Sequence, residues 1–320
     1  MKHAVPLLLA CAALSGAASG QTYPAKTIRL VVPFAPGGPN DNIARIVGQK
    51  LTEQFGQTVV VENRGGAGGT IGMEFVARLP PDGYTLVMGG SSSMAVAPSL
   101  YRKLSYDPLK DFTPVINVAQ VPYALATNPG VPAKTAKDVI VIAARKSGYL
   151  SYGSSGAGSM SSLAAELFKS MSNTNIVHVP YKGTAPALTD VVAGQIDMMF
   201  ADVAVVQPHS SVGKLRMVGV TSSKRLVSLP ELPTIGESGL KGYAVEPWFG
   251  IVGPANLPKD IVSRLNGAIV TALKSADVVQ RFGALHYDIV GGTPERFAAT
   301  IKADVGHYGK IVKAAGITPE

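Results

Sequence analysis

The strongest constraint on the fold is an alternation of short β-branched runs with stretches of helical periodicity, which occurs in two series along the chain. In the first series, strand-like runs at 28–33, 59–61 and 85–88 enclose two helical patterns. The second series begins after residue 132 and continues to residue 220. Such alternation indicates βαβ units and a largely parallel sheet. The sequence therefore predicts an α/β fold with two doubly wound units.

The second series contains a helix start that can be recognised from two residues. Thr135 and Asp138 have the spacing of a capping box, which predicts a helix to about residue 145. Further helices are predicted near 161–172 and 185–193 of this series. In the first series, the helices are predicted near 41–55 and 70–79.

Two extended stretches, 114–127 and 243–252, connect the two units, and three helical segments follow the second stretch. Pro258 and Pro294 stand where first-turn prolines belong. No further strands are predicted among the last helices, so these helices have no new sheet to pack against. We therefore expect them to pack on the sheet of the first unit. This predicts a discontinuous first lobe, residues 21–121 plus 248–320, and a second lobe, residues 122–247. Two crossing strands would form a hinge that allows closure around a ligand.

The N-terminus is typical of a secretory signal peptide spanning residues 1–20. Lys2 is followed by an apolar run and then by small residues up to Gly20, after which we expect cleavage. The apolar run is shorter than the roughly 20 residues that a transmembrane helix needs. We therefore expect an exported, periplasmic chain without direct membrane insertion.

The cysteine count limits the chemistry of the exported chain. Cys11 is the single cysteine and lies inside the predicted signal peptide. Disulfides, cysteine nucleophiles and thiolate metal sites are thereby excluded. An alternative is that residues 8–11 form a lipoprotein processing site, in which case Cys11 would be acylated and tether the protein to a membrane.

The charge distribution argues against a nucleic-acid partner. Without residues 1–20, the chain has 28 basic against 21 acidic residues, a net charge of +7. The basic residues are scattered and form no stripe with interleaved aromatics, which nucleic-acid binding would favour. A mild positive charge attracts an anionic ligand at long range. The same charge could equally serve solubility alone.

Ligands of open α/β sheets bind beyond the carboxyl ends of the strands, so glycine-rich and serine-rich loops at those ends are candidate binding loops. The first loop, 33–41, contains Gly37 and Gly38 directly before a predicted helix, where free amides favour a carboxylate. Asn40 or Asp41 would cap that helix, and Arg45 would either pair with Asp41 or face the cleft. The alternative is a tight turn that needs glycine only for its dihedral angles.

Three further loops supply hydroxyl groups, amides and charges. Ser91 and Ser92 follow a predicted strand and form either a hydrogen-bonding shelf or a serine-rich cap. The loop 152–159 combines glycines with Ser154 and Ser155, and loop 179–186 offers an aromatic wall and a cation. In loop 179–186, Tyr181 would be the aromatic wall and Lys182 the cation, and Gly183 follows them. Asp202 could cap a helix or accept from a ligand ammonium group.

Other site types are poorly matched. Neither Ser154 nor Ser155 has both glycines of a nucleophile elbow, although a serine hydrolase remains an alternative. The glycine-rich segment 61–69 lacks dinucleotide spacing, and no phosphate loop or metal-binding helix motif occurs. His178, His209, His286 and His307 are far apart in sequence and are interpreted as isolated structural or surface residues. No cofactor, no metal and no catalytic residue is predicted.

Taken together, the loops resemble the substrate-binding proteins of tripartite tricarboxylate transporters, also called the Bug family. The resemblance extends over nearly the whole exported chain. The matching segments are VPFAPGG (32–38) with Asp41 and Arg45, VEN (61–63), GGAGG (65–69), YGSSG (152–156), VPYKG (179–183) with Pro186 and Asp190, GQID (194–197), GKLR (213–216), LPT (232–234) and WFG (248–250). Two positions depart from the family: Gly65 stands where many members have proline, and Asn40 stands where members vary, so Asn40 bears on ligand choice.

The resemblance implies a type II periplasmic-binding fold that holds a carboxylate through loop amides, hydroxyl groups and ordered water. By position, it implies first-lobe contacts from Phe34, Gly37, Gly38 and Ser91 or Ser92, and second-lobe contacts from Ser154, Gly156, Tyr181 and Asp202. The candidate binding residues are therefore Phe34, Gly37, Gly38, Asn40, Asp41, Ser91, Ser92, Ser154, Ser155, Gly156, Tyr181, Lys182, Gly183 and Asp202.

The function expected from this resemblance is that of a monomeric, non-enzymatic solute-binding protein. Its partners would be a small organic carboxylate and the subunits of a membrane transporter. A ligand sensor that partners a signalling receptor is an alternative that the sequence leaves open.

Overall fold

The computed structural model describes residues 23–314 and 316–317. The predicted signal peptide, its cleavage site and Cys11 lie outside these residues. The strands are β1 (Ile28–Val32), β2 (Val59–Asn63), β3 (Thr85–Gly90), β4 (Phe112–Gln120), β5 (Tyr123–Thr127), β6 (Ser151–Ser154), β7 (Val177–Pro180), β8 (Met198–Asp202), β9 (Arg216–Val220), β10 (Trp248–Pro254) and β11 (Asp288–Ile289). The α-helices are α1 (Pro39–Phe55), α2 (Thr70–Ala77), α3 (Ala97–Leu100), α4 (Ala136–Arg145), α5 (Met160–Ser172), α6 (Thr184–Val192), α7 (Val203–Ser211), α8 (Lys259–Leu273), α9 (Ala276–Ala284) and α10 (Pro294–Ala314).

The strands form two sheets, one in each lobe. The first has six strands in the order β11-β4-β10-β3-β1-β2, and the second has five in the order β7-β6-β8-β5-β9. In the first sheet, β1 pairs in parallel with β2 and β3, while β10 runs antiparallel to β3 and β4. In the second, β6 pairs in parallel with β7 and β8, while β5 runs antiparallel to β8 and β9.

Both sheets are therefore mixed, and the prediction of a largely parallel sheet was wrong. The βαβ series supplies parallel strands, as its pattern indicates. Apart from the short β11, the strands that reverse direction are β5 and β10, which each follow a crossing and enter the sheet from the other lobe. A pattern of local alternation contains no information on that direction.

The chain passes between the lobes twice. The first crossing, residues 121–122, joins β4 to β5, and the second is the longer segment between β9 and β10. The two crossings lie side by side, since the amide of Val121 donates to the carbonyl of Pro247 at 2.8 Å. The first lobe is completed by β10 and by helices α8 to α10, as the three helical segments after the second extended stretch predicted. The exact lobe boundaries remain a prediction.

Helices cover both faces of each sheet, as the burial along β8 illustrates. Met198 and Phe200 belong to the main buried core, whereas Met199 and Ala201, on the other face, pack with Ala187 of α6 in a second cluster. A strand that is buried on both faces needs apolar residues at every position. Among the described residues, no helix has the length and hydropathy to cross a bilayer.

Local signals mostly locate the elements correctly. The capping box at α4 is present, with Thr135 Oγ1 accepting from the Asp138 amide at 3.2 Å and Asp138 accepting from the Thr135 amide at 2.9 Å. Pro294 is the first residue of α10, but Pro258 precedes α8 as its N-cap. The helical segment 92–100 after β3 and strand β11 were not predicted, and helix α7 was expected only as one of the two alternatives for Asp202.

Candidate binding site between the two lobes

The first candidate loop, at the start of α1 in the first lobe, faces the start of α6 in the second lobe. A β-carbon placed on Gly37 would lie 3.8 Å from the Cβ of Ala185, and one on Gly38 would lie 3.6 Å from the Thr184 hydroxyl. Gly183 approaches even more closely, because a β-carbon there would lie 2.8 Å from the Cβ of Ala35. Two helix N-termini from different lobes therefore meet across the cleft.

Neither of these helices has a side-chain cap. The N-cap of α1 is Gly38 and that of α6 is Gly183, and neither helix has a side-chain cap. Because Pro39 has no N–H, the first-turn donors of α1 are the amides of Asn40 and Asp41. By contrast, α4, α5 and α7 are capped by Thr135, Ser159 and Asp202. Uncapped helix N-termini present free amides and a partial positive charge. Two such ends, facing each other, form an electropositive pair to which an anion is suited.

The expectation that Asn40 or Asp41 caps α1 was wrong, because both side chains serve the loop in another way. The Nδ2 of Asn40 donates to the carbonyl of Met88 at 3.1 Å. Asp41 accepts from the amide of Gly37 at 3.1 Å and from Asn63 at 3.0 Å, and it pairs with Arg45 through two bonds of 2.9 Å. Both residues lie in the first turn of α1 and are buried. Their polar atoms hold the loop in place, and Asp41 occupies the amide of Gly37 while the first turn of α1 keeps no side-chain cap.

This network also sets the ionisation of Asp41. Burial alone would raise the pKa of Asp41, but the hydrogen bonds from Arg45 and Asn63 outweigh it, and the pKa lies below its ordinary value. Of the two roles expected for Arg45, the structure therefore contains the pairing with Asp41.

A second contact between the lobes lies at the glycine-rich segment 65–69. A β-carbon on Gly68 would lie 2.8 Å from the carbonyl oxygen of Ala157 in the second lobe. Tyr101, from the first lobe, donates its hydroxyl to the same carbonyl at 2.8 Å. Its ring lies against Gly158, where a β-carbon would be 2.8 Å from the ring. Gly156 also faces this segment, since its β-carbon position lies 3.4 Å from the amide nitrogen of Gly68.

The serines after β3 are buried, and their hydroxyl groups have partners. Ser91 accepts from the amide of Trp248 at 2.8 Å. Ser92 accepts at 2.9 Å from the amide of Met160, the first residue of α5 in the second lobe. Ser92 therefore forms a direct hydrogen bond between the lobes, whereas Ser91 fastens β3 to β10 within the first lobe.

Ser154 forms a contact that the sequence interpretation missed. Its Oγ lies 2.7 Å from Nε2 of His178, whose ring stacks on Tyr152 with centroids 4.6 Å apart. His178 is thus half-buried against Tyr152 and Ser154 rather than isolated, and partial burial lowers its pKa. Ser154 itself is 0% exposed and also bonds to the carbonyl and amide of Gly156. Among the described residues, the second ring nitrogen of His178 has no carboxylate partner, which a catalytic triad would need.

The remaining second-lobe candidates differ in their availability. Ser155 bonds through both its amide and its hydroxyl to Ser161 in α5. Tyr181 donates its hydroxyl to Asp190 at 2.5 Å, so its phenol orients the loop while its ring remains half-buried. Burial and this bond to Asp190 raise the pKa of Tyr181 to about 12. Lys182 is exposed beside the loop.

Asp202 lies at the end of β8 and caps α7, one of the two roles expected for it. Its carboxyl accepts from the amide of Ala204 at 2.9 Å and from the hydroxyl of Tyr287 at 2.5 Å. Tyr287 precedes β11, so this bond joins the second lobe to the first. Complete burial raises the pKa of Asp202 to about 7, although both hydrogen bonds act in the opposite direction. His286, the neighbour of Tyr287, bonds Ser228 and Gln207 and is likewise not isolated.

The structure thus brings the candidates from loops 34–38, 154–156 and 181–183 to one interface, with Ser92 at its side. Ser91 and Asp202 lie in supporting positions next to it. Gly68, Tyr101 and Thr184 contact the opposite lobe but were absent from the predicted set. The glycines of segment 65–69 could have indicated the first of these, because such a segment between a strand and a helix permits close backbone approach. Among the described residues, no group of His, Cys, Asp and Glu could hold a metal ion.

Comparison with known proteins identifies the family. A family model described as the tripartite tricarboxylate transporter family receptor matches residues 43–317. Protein BugT of Bordetella pertussis is 34% identical over 313 residues, which cover 98% of this chain and 96% of BugT.

Two similar solved structures contain a bound ligand. Rpa4515 of R. palustris with adipate has a TM-score of 0.90 and 36% identity, covering 93% of this chain and all of that one. MatC of Rhodopseudomonas palustris with bound malate has a TM-score of 0.87 and 32% identity, covering 91% of this chain and all of that one. The two-lobe architecture and these matches together show that the chain belongs to the tripartite tricarboxylate transporter receptor family, which includes the Bug proteins.

Proposed function

We propose that this protein binds a small organic carboxylate between its two lobes and delivers it to a tripartite tricarboxylate-type membrane transporter. It would act in the periplasm as a monomer, after removal of its signal peptide. The observation that carries the proposal is the pair of uncapped helix N-termini, Gly38 of α1 and Gly183 of α6, which face each other from different lobes.

An anion placed between these helix ends would be stabilised by both. Each end contributes free amide donors and a partial positive charge of about half a unit. Because the two ends belong to different lobes, both sets of donors reach one ligand only when the lobes are together. A ligand with this preference shifts the population toward the closed arrangement. Carboxylate binding and lobe closure would then be one process.

The ligands of two relatives support a dicarboxylate. Rpa4515 is described with adipate and MatC with malate, so both contain ligands with two carboxyl groups. In this chain, one carboxylate would lie between α1 and α6. Loops 91–93 and 153–156 and the ring of Tyr181 would then surround the rest of the ligand, with Asn40 contributing to the choice among carboxylates.

The decisive experiment changes the N-cap of α1. Gly38 has φ −95°, which any residue can adopt, and a β-carbon there meets only ordinary contacts with Thr184. Gly38→Asp would place a carboxylate on the free amides, so we expect it to stabilise the fold by only a few tenths of a kcal/mol and to abolish the binding of malate and adipate. Gly38→Ala, which adds the β-carbon without the charge, should bind nearly as the wild type does.

Isothermal titration calorimetry with malate, adipate and the neutral adipamide measures this directly. Binding of the acids but not of the diamide is the expected result for the wild type. Equal affinity of Gly38→Asp and Gly38→Ala for the acids would contradict the assignment of the site.

The hydrolase alternative is tested on the pair Ser154 and His178, whose atoms lie 2.7 Å apart. In our proposal this pair is structural, because Ser154 is fully buried and engaged with Gly156. We expect no turnover of p-nitrophenyl acetate above background, and Ser154→Ala should lower the melting temperature without changing that background. Ester turnover that disappears in Ser154→Ala would favour the enzyme instead.

A further inference from the structure

A cavity of about 370 Å³ lies behind the hinge, away from the glycine loops. Its walls come from β4, from the second crossing with the start of β10, and from helix α10. Asn117 and Gln120 belong to the end of β4, Glu246 to the second crossing, Trp248 to β10, and Arg296 and Asp304 to α10. The volume is within the range of small-molecule sites.

Asn117 is an unusual residue in this wall. Its side chain is 6% exposed, and its Oδ1 is buried without a hydrogen-bond partner. A buried amide oxygen without a donor costs free energy, so native structures rarely retain one unless a water, ion or ligand satisfies it. A donor bound in the cavity would satisfy this oxygen once the Asn117 side chain turned toward it.

Two carboxylates in the same wall also have acceptor capacity to spare. Glu246 accepts from the amide and hydroxyl of Ser223 at 2.8 and 2.7 Å, both through Oε1. Asp304 accepts from the indole of Trp248 at 2.6 Å through Oδ2. In the described residues, Glu246 Oε2 and Asp304 Oδ1 accept no hydrogen bond. Two carboxylate oxygens without a hydrogen bond and the unpartnered amide oxygen of Asn117 thus belong to residues that line one cavity.

The basic groups at the cavity do not satisfy these acceptors. Arg296 is exposed and forms no ion pair within 4.0 Å among the described residues. His307 also lines the cavity and is exposed. Arg296 is therefore the intramolecular competitor for any cation that enters.

We propose that this cavity is a second binding site, which takes a compact organic cation of the guanidinium or alkylammonium class. Such a cation would donate N–H groups to Asn117, Glu246 and Asp304, and charge-assisted bonds of this kind are the strong ones. A bare metal ion fits less well, since the described residues contain no group of His, Cys, Asp and Glu that could hold one. The cation can be a free solute or the basic side chain of another protein.

The site is coupled to the lobes by its walls. Ser223, which holds Glu246, belongs to the segment that follows β9 of the second lobe, whereas Asp304 lies on α10 in the first lobe. A movement of the lobes about the crossings changes the distance between these walls. Cation binding and lobe closure therefore affect each other, and by linkage the cation and the ligand of the front cleft must change each other's affinity by the same factor.

Titration calorimetry of the full chain with methylguanidinium chloride, without any carboxylate and against matched sodium chloride, tests the site independently of the proposed function. We expect saturable binding by the wild type, and binding about tenfold weaker in Asp304→Asn and in Glu246→Gln, which keep an acceptor for Trp248 and Ser223. Glu295→Gln is the matched control, because it removes the same charge from α10 at a residue outside the cavity and should leave the affinity unchanged. Arg296→Ala should bind more tightly.

The result that overturns the proposal is an affinity in Asp304→Asn and Glu246→Gln equal to that of Glu295→Gln, or no saturable binding by the wild type. Binding by Arg296→Ala but not by the wild type would likewise overturn it, because the Arg296 guanidinium would then occupy the cavity of the native protein. A second titration with N-acetylarginine amide separates the two sources. Binding of both probes supports access for a protein side chain, and binding of methylguanidinium alone supports a free solute.

Discussion

Replacement of Gly158 by alanine tests whether ligand binding needs the lobe contact at Tyr101. Gly158 has φ +73°, and a β-carbon there would lie 2.8 Å from the Tyr101 ring and hydroxyl. Tyr101 belongs to the first lobe and Gly158 to the second, so the clash exists only when the lobes are together. The backbone conformation of Gly158, in contrast, is costly for alanine in either arrangement.

The two effects have separate magnitudes. The left-handed conformation costs alanine about 1–2 kcal/mol, which lowers the free energy of unfolding. Overpacking of the interface costs about 1–3 kcal/mol, and this penalty falls on the closed arrangement alone. If closure is required for binding, the dissociation constant for malate or adipate should rise by about 5- to 150-fold.

The chain offers a matched control for this substitution. Gly213 also has φ +73°, but a β-carbon there would meet nothing within 4 Å. Gly213→Ala should therefore lose similar stability in urea unfolding while retaining wild-type affinity in calorimetry. Tyr101→Ala, combined with Gly158→Ala, should recover most of the lost affinity. The reasoning is refuted if Gly158→Ala binds as tightly as Gly213→Ala, because the Tyr101 contact would then play no part in the bound state.

Two further predictions concern buried carboxyl groups with opposite shifts. The pKa of Asp202 is raised to about 7, so the folded state binds this proton more tightly than the unfolded state, and the wild type should lose up to about 1.4 kcal/mol of unfolding free energy per pH unit between pH 4 and 7. Asp202→Asn should remove this slope in urea titrations; an unchanged slope would contradict the assignment. The pKa of Asp41 is lowered, so its stabilisation is present above pH 4 and disappears as the pH falls through the folded-state pKa. Asp41→Asn should cost about 1–3 kcal/mol at pH 7 and progressively less by the same measurement as the pH falls below 4, whereas a pH-independent difference would show that the charge is unimportant.

Much of the fold could be predicted because local patterns determine it. The periodicity of each βαβ series gave the main helices to within a few residues, and the capping box of Thr135 and Asp138 gave the start of α4. The strand directions in the sheets were missed, since β5 and β10 enter their sheets from the other lobe and pair with residues more than seventy positions away. The helical segment 92–100 was missed because its serine-rich start resembles a loop.

The candidate site could be predicted as a set of loops but not as a set of contacts. Glycine at positions 156 and 183 signals close backbone approach, which depends on the absence of a side chain and is visible in the sequence. The hydrogen-bond partners of polar side chains cannot be predicted from the sequence. Asp41 turned out to hold Gly37 and Arg45, and Ser154 to hold His178, because each of these bonds depends on tertiary packing.

The position of β10 has a consequence for the order of folding. This strand lies in the middle of the six-stranded sheet, between β3 and β4, and pairs Phe249 with Gly90 across the whole intervening second lobe. A chain that emerges from its N-terminus onward can assemble the five-stranded sheet from residues 123–220 while the other sheet still lacks its central strand. The first sheet can therefore be completed only after residues 248–254 have been synthesised. Chains that stop before residue 248 would leave β3 and β4 with unpaired, aggregation-prone edges.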